Sequence, residues 1–371
     1  MKMPIFRSVP TCLLAAACCT SAYGQSPTVQ QQLTASGSAP IARTQSAPTV
    51  VPAKPRASTQ ERTLQQIGMV DIPGSPGFDA IAIAQGKVLL THTAASSLDV
   101  VDPAKRRVVA QIINLQSPRG IAVDATNGKI YVAQAGNNSI AVVKFEGWQY
   151  SGSIPLPQAP STLALDDSGQ RLYWSGAQSD SLSILDLSTR QNLGTIDLGG
   201  RPRGMVWDQE RGVAFVVLQD TSEIVAVDPK LQVVSRFKLN ASQPTEVVYD
   251  ARTRRLYVAA RQAVLSINDQ DGSETSRVEA PMGVDGLWLN PKLRTLYAAS
   301  PGELTVIKAD DSRFAVADRI PSNLKGHNVA FDPESNIVFL PGGREGHSEM
   351  LLLRPMDSEQ PGERNVAARV K

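Results

Sequence analysis

Apolar residues recur along the chain in short alternating segments separated by turn-forming residues. One set reads GIAVD (120–124), KIYVAQ (129–134), SIAVVKF (139–145) and QYSGSIPL (149–156). Val, Ile and Tyr alternate with smaller residues, which is typical of β-strands. The joints ATNG, AGNN and FEGW are rich in residues that favour turns. The pattern therefore predicts units of four short strands.

The four-strand unit occurs seven times. Aligning the units on the second strand of each gives seven equivalent apolar centres, which are Leu89, Tyr131, Tyr173, Phe215, Tyr257, Tyr297 and Phe339. Successive centres are 42 residues apart, except for one interval of 40. A period of about 40–45 residues built from strands alone indicates the blades of a propeller. The sequence predicts an all-β, seven-bladed β-propeller of four-stranded blades.

The last unit lacks its own fourth strand, because the chain turns polar after MLLLR (350–354). The segment LQQIGMVDIP (64–73) precedes the first unit and looks like the fourth strands of the others. We predict that this N-terminal strand completes blade 7 and closes the ring. Closure would remove the open sheet edges that otherwise recruit other chains.

Several motifs of the repeat resemble those of the YVTN-repeat seven-bladed propellers, over roughly residues 64–355. They are the PRGIAVD and PRGMVWD strand starts, the Tyr-Val second strands and the V-x-D third strands; YVAQ, YWSG and YVAA stand where the family has its tetrad. The resemblance implies a secreted or periplasmic prokaryotic protein with a propeller fold. It does not imply one activity, since the architecture carries binding proteins, lactonases, cyclases and redox subunits.

The first residues have the layout of a secretory signal peptide. Lys2 and Arg7 precede an apolar stretch at 12–19, and the small residues of Ala22-Tyr23-Gly24 form a cleavage site. We therefore expect a periplasmic or secreted protein. Acylation of Cys18 or Cys19 is the lipoprotein alternative.

The predicted organisation has four parts. A signal peptide occupies 1–24, and a disordered tether rich in Gln, Ser, Pro and Ala follows at 25–62. The propeller spans 63–356, and a polar tail spans 357–371. No segment after the signal peptide has the run of about 20 apolar residues that a membrane span requires.

Cleavage would change both the cysteine content and the charge. All three cysteines (Cys12, Cys18 and Cys19) lie in the signal peptide, so the mature chain would have no disulfide, thiol nucleophile or attached c-type haem. Removing Lys2 and Arg7 from 37 basic residues leaves 35, which balance 35 acidic ones. A net charge of zero argues against a nucleic-acid partner. We expect a monomer.

Candidate chemistry lies just before the first strand of each blade. This position is occupied by residues of five different types, which are Asp79, Arg119, Ser161, Arg203, Thr245, Asp285 and His327. They should ring the mouth of the central channel. Core positions repeat because packing repeats, whereas these do not. We predict that Asp79, Arg119, Arg203, Asp285 and His327 bind a ligand there.

A more specific hypothesis is that the mouth binds a metal ion. His92, His327, Asp79 and Asp285 come from blades 1, 6 and 7, and imidazoles with carboxylates can hold a divalent ion. The alternative interpretation is that the histidines bind backbone carbonyls and that Asp79 pairs with Arg119. The sequence has none of the hydrolase, zinc-protease or phosphate-loop motifs.

Three functions remain open. The first is a non-catalytic binding module that takes a small ligand or a protein at the channel mouth, without a cofactor. The second is a metal-assisted lactone or ester hydrolase. The third is an envelope scaffold that acts through the outer blade surfaces. Mutually paired charges at the mouth would favour the scaffold, and an unpaired arc of Arg119 and Arg203 would favour an anionic ligand.

Overall fold

The structure, a computed structural model, describes residues 62–166, 168–176 and 178–356. The predicted signal peptide, all but the last residue of the predicted tether, and the polar tail lie outside these residues. Within them, the repeats form seven four-stranded antiparallel sheets arranged as the blades of a ring. The predicted seven-bladed β-propeller is confirmed.

Blades 1 to 3 follow one another along the chain. Blade 1 consists of β2 (Phe78–Ala84), β3 (Lys87–His92), β4 (Ser97–Asp102) and β5 (Arg107–Ile112). Blade 2 consists of β6 (Pro118–Asp124), β7 (Lys129–Gln134), β8 (Ser139–Lys144) and β9 (Gln149–Pro155). Blade 3 consists of β10 (Pro160–Leu165), β11 (Arg171–Gly176), β12 (Ser181–Asp186) and β13 (Gln191–Asp197).

Blades 4 to 6 repeat the same order. Blade 4 consists of β14 (Pro202–Asp208), β15 (Val213–Leu218), β16 (Glu223–Val227) and β17 (Val233–Lys238). Blade 5 consists of β18 (Pro244–Asp250), β19 (Arg255–Ala260), β20 (Ala263–Asn268) and β21 (Glu274–Glu279). Blade 6 consists of β22 (Gly286–Asn290), β23 (Thr295–Ser300), β24 (Glu303–Ala309) and β25 (Phe314–Pro321).

Blade 7 combines the two ends of the described chain. Its strands are β26 (Ala330–Asp332), β27 (Ile337–Arg344), β28 (His347–Pro355) and the N-terminal β1 (Leu64–Ile72). Strand β1 pairs antiparallel with β28, from Leu64 opposite Pro355 to Ile72 opposite Ser348. The predicted ring closure is therefore confirmed. It holds because Val70 and Ile72 are buried in the core between blades 7 and 1.

The apolar residues pack between blades. Each pair of neighbouring blades shares one buried cluster. All seven centres on which the sequence repeats align are buried, including Tyr173 and Phe215 at 0% exposure. Both faces of the inner strands are covered by neighbouring blades. Large and small side chains therefore alternate along these strands, rather than apolar and polar ones.

Helical structure is limited, among the residues described, to two 3₁₀ turns at Thr93–Ala95 and Glu146–Trp148. No helix in this part of the chain has the length and apolar character needed to cross a membrane.

Strand direction separates the loops into two faces. The first strand of each blade runs away from the channel mouth, and antiparallel order then returns the second strand to it. Loops that join blades, and loops between second and third strands, therefore lie on the mouth face. The other turns lie on the opposite face.

Candidate functional site

The seven non-repeating residues of the channel mouth line one cavity. The cavity has a volume of about 130 Å³ and includes the residue that follows each of them, so that its lining is Asp79, Ala80, Arg119, Gly120, Ser161, Thr162, Arg203, Gly204, Thr245, Glu246, Asp285, Gly286, His327 and Asn328. We call it the mouth cavity. Seven residues spread over 249 positions meet there because each lies at, or shortly before, the start of the innermost strand of its blade.

The channel continues from the mouth cavity into a second compartment of about 210 Å³. Its additional lining is apolar and comprises Ile81, Ile121, Leu163, Met205, Leu287, Trp288 and Val329. The polarity of the channel therefore changes one residue below the mouth. A ligand that enters from this face meets charged groups first and hydrocarbon behind them.

The charged groups of the mouth are mutually paired. Arg119 Nη1 donates to Asp79 Oδ1 over 2.9 Å, between blades 2 and 1. Asp285 Oδ2 lies 3.7 Å from Arg203 Nη2 and 3.2 Å from His327 Nδ1. The Arg203–Asp285 contact joins blade 4 to blade 6 past the intervening blade. The unpaired arginine arc that would favour a simple anion is absent from the mouth as described.

Glu246 is a carboxyl-bearing residue of the mouth cavity with a strongly shifted pKa. It lies one position after Thr245, and its Oε1 accepts a hydrogen bond of 2.9 Å from the Val247 amide. Burial raises the pKa of its carboxyl to about 8, and the negative charge of Asp285 acts in the same direction. The Val247 hydrogen bond and Arg203 oppose the rise without cancelling it. Glu246 is thus largely protonated at neutral pH and can donate a hydrogen bond.

Glycine residues of the mouth cavity allow neighbouring blades to pack closely against each other. A Cβ at Gly204 would overlap Glu246 Oε1 and would lie 2.6 Å from Glu246 Cα. A Cβ at Gly120 would lie 2.6 Å from the Ser161 carbonyl oxygen, and one at Gly286 would overlap that of His327. Blades 2, 4 and 6 therefore approach their next neighbours more closely than any side chain permits.

Gly286→Ala should destabilise the protein by about 1–3 kcal/mol, because its Cβ would meet the His327 backbone carbonyl, which cannot move without shifting the blade. Gly194→Ala is the matched control, since its Cβ would meet only the end of the flexible Leu231 side chain, at 2.6 Å. Urea unfolding of both variants measures the difference. Equal stability of the two variants would contradict the close approach of blades 6 and 7.

His92 does not line the mouth cavity. It is fully buried at the end of β3, where Nδ1 lies 2.7 Å from Asp99 Oδ2 and Nε2 lies 2.7 Å from the Ser75 carbonyl oxygen. Ser97 and Gln111 donate to the other oxygen of Asp99. Both partners of the imidazole are acceptors, so the ring must carry two protons. His92 therefore has a structural role, as a buried imidazolium that binds Asp99 and the Ser75 carbonyl.

The four residues of the metal hypothesis are therefore not brought together. His327, Asp79 and Asp285 line the mouth cavity, while both ring nitrogens of His92 are occupied elsewhere. Across 62–166, 168–176 and 178–356, no group of three or more His, Cys, Asp or Glu side chains is placed to hold a metal ion. The third histidine, His347, is exposed at the start of β28.

Sequence reasoning missed Glu246. The equivalent position in the other six blades holds a small or neutral residue, namely Ala80, Gly120, Thr162, Gly204, Gly286 and Asn328. A carboxylate at this one position was the available signal. Reading the repeat one residue further into each first strand reveals it.

Comparisons with known proteins agree with the fold. Residues 115–143 match the model of the NHL repeat. This segment spans the inner strands of blade 2. No curated protein matches the chain.

Many solved structures are similar to the chain. One is the Kuenenia stuttgartiensis hydrazine synthase, with a TM-score of 0.66 and 14% identity over 78% of this chain and 98% of that one. At this identity the likeness shows the fold alone. The chain is therefore a propeller in which one segment matches a known repeat.

Proposed function

We propose that the protein is an exported, non-catalytic binding module that holds a small zwitterionic ligand in its mouth cavity. One observation carries this proposal: Glu246 keeps a carboxyl group where burial raises its pKa to about 8. A carboxyl so placed destabilises the fold at neutral pH. Residues with strongly shifted pKa values in a cleft cluster at functional sites.

The charge balance of the cavity favours a zwitterion over a simple anion. Two arginines and two aspartates line it, and the guanidinium groups already contact carboxylates. An added anion would compete with Asp79 and Asp285 for the same donors. A ligand with one positive and one negative group offers a partner to each side of an opened pair. The volume of about 130 Å³ limits the part that enters to a few heavy atoms.

Export is the second part of the proposal. The basic head, apolar stretch and small-residue cleavage site of residues 1–24 support it, as does the resemblance to YVTN-repeat propellers. Mass spectrometry of the protein recovered from a bacterial periplasm should find a mature chain that begins at Gln25. An uncleaved chain confined to the cytoplasm would contradict export.

Three matched probes test the ligand class. Glycine carries both charges, acetate only the negative one and methylamine only the positive one. Titrating each into the full chain by NMR, at up to about 50 mM, should show saturable binding that is strongest for glycine. Arg203→Gln should weaken glycine binding at least about 10-fold, a change equivalent to 1.4 kcal/mol.

Arg236→Gln is the control variant. Arg236 lies on the outer strand of blade 4, pairs with Glu223 at 2.8 Å and is 38% exposed, against 40% for Arg203. It should leave glycine binding unchanged. Binding of acetate as tightly as glycine, equal loss in both arginine variants, or no binding of any probe would overturn the proposed ligand class.

The scaffold remains a second candidate, because the charges of the mouth are mutually paired. Its contact surfaces would be the outer strands and the residues beside them, where Ile113 (62% exposed), Tyr150 (51%) and Val234 (54%) present apolar side chains. Replacing each with Ser should leave glycine binding unchanged under the leading proposal. Loss of envelope association in these variants, with no ligand bound at the mouth, would favour the scaffold.

A further inference from the structure

A second polar cavity lies on the opposite face, between blades 5 and 6. It has a volume of about 490 Å³, within the range of small-molecule sites. Its lining comes from the turns and outer strands of the two blades: Arg252, Thr253, Arg255, Tyr257, Ser266, Thr275, Ser276, Asp310, Asp311, Ser312, Arg313 and Phe314. We call it the interblade groove. It shares no lining residue with the mouth cavity.

The arginines of the interblade groove differ in their pairing. Arg252 is neutralised, since its two terminal nitrogens contact the two oxygens of Asp311 at 3.1 and 2.6 Å. Arg255 and Arg313 form no ion pair with any residue of the described ranges. Arg255 Nη1 is buried without a hydrogen-bond partner there. A buried unpaired guanidinium nitrogen is costly unless something accepts from it.

The one remaining acid of the groove is already engaged. Asp310 Oδ1 accepts from the backbone amide and the hydroxyl of Ser312, at 3.0 and 2.9 Å. These hydrogen bonds lower the pKa of Asp310 and hold its carboxylate within its own turn. The groove therefore keeps two guanidinium groups available for an anion.

The hydroxyl groups of the groove determine which hydrogen-bonding groups a ligand must carry. Three of them donate their single proton to a group that can only accept: Thr253 to the Asp250 carboxylate, Ser276 to the Thr275 carbonyl and Ser312 to the Asp310 carboxylate. Their oxygens retain free lone pairs. They can therefore accept hydrogen bonds from a ligand but have no proton left to donate.

We propose that the interblade groove binds a small dicarboxylate that also carries hydroxyl groups. Arg255 and Arg313 would each donate to one carboxylate, because the guanidinium fork matches carboxylate geometry. The hydroxyl lining would accept from the ligand's own hydroxyls. This site is independent of the ligand proposed for the mouth cavity.

Three four-carbon probes separate the two components of recognition. Tartrate has two carboxylates and two hydroxyls, succinate has the carboxylates alone, and erythritol has hydroxyls alone. Calorimetric titration of the full chain at about 20 mM ionic strength, where screening is weak, should show binding that falls from tartrate to succinate to erythritol. We expect tartrate to bind at least about 10-fold more tightly than succinate.

Variants locate the site. Arg255→Gln/Arg313→Gln should weaken tartrate binding at least about 30-fold, and Arg313→Gln alone, at an exposed turn that tolerates change, about 5-fold or more. Arg236→Gln should have no effect. Equal affinity for succinate and tartrate, unchanged binding in Arg313→Gln, or no tartrate binding at about 10 mM would each overturn the proposal.

Discussion

Replacing His92 with Ala should lower the free energy of unfolding by about 3–5 kcal/mol, because it removes one partner of a buried ion pair. The variant would leave the Asp99 carboxylate buried without its cation and the Ser75 carbonyl without its donor. Ser75 belongs to the loop that joins the closure strand β1 to blade 1. We expect the loop 73–77 to become sensitive to proteases in the same variant.

The loss should depend on pH in a defined direction. Burial by itself lowers the pKa of His92, but hydrogen bonds to Asp99 and Ser75 and the charge of Asp99 outweigh it, so the net pKa is raised. A raised folded-state pKa gives stability that is fully present below the unfolded value of about 6.5 and is lost as pH rises through the folded value. The gap between wild type and His92→Ala should therefore shrink between about pH 6 and pH 9.

His347→Ala is the matched control, because this imidazole is exposed at the start of β28. It should change the free energy of unfolding by less than about 0.5 kcal/mol at either pH. Denaturant unfolding of the three proteins at the two pH values makes the comparison. A loss under about 1 kcal/mol for His92→Ala, or a gap that does not change with pH, would contradict the buried imidazolium.

Glu246→Gln should stabilise the protein by about 2 kcal/mol at pH 8. Glutamine keeps the oxygen that accepts from Val247 and removes the titrating proton. The raised pKa of Glu246 means that stability present below about pH 4.5 is lost as pH rises toward about 8. Each pKa unit corresponds to about 1.4 kcal/mol, and we halve the full value because channel water still reaches the carboxyl.

The stabilisation should be absent near pH 4 and grow up to about pH 8. Glu223→Gln is the control variant, for which the opposite change in stability is expected. Burial acts to raise the pKa of Glu223, but hydrogen bonds from Thr221 and Arg236 outweigh it and lower the pKa, so this variant should lose stability above pH 4.5. We also expect Glu246→Gln to weaken glycine binding. A Glu246→Gln protein less stable than wild type at pH 8 would be inconsistent with a carboxyl retained for function.

The fold could be predicted because packing repeats in the sequence. Each blade buries a large apolar side chain at the same position, which is Tyr in four blades, Phe in two and Leu in one. The missing fourth strand of blade 7 and the surplus strand at 64–73 could be matched for the same reason. The mouth positions could be located because they hold a fixed place relative to that packing.

The pairing of Asp79 with Arg119 was one of the alternatives that the sequence offered, but the partner of His92 Nδ1 could not be predicted. His92 ends a strand at the mouth face, but its ring turns into the blade toward Asp99, seven residues later on the next strand. Which way it turns is decided by the Ser75 carbonyl, a backbone group that sequence does not identify. Arg255 and Arg313 likewise line one groove only because blades 5 and 6 are neighbours.

The proposed function requires the mouth cavity to be the working surface of the propeller. Amide NMR of the full chain, with glycine added stepwise to saturation, tests it most directly. We predict that the shifted resonances concentrate on Thr162, Gly204, Thr245 and Glu246, around the channel. Shifts confined to the outer strands, or no shifts at all, would contradict the claim.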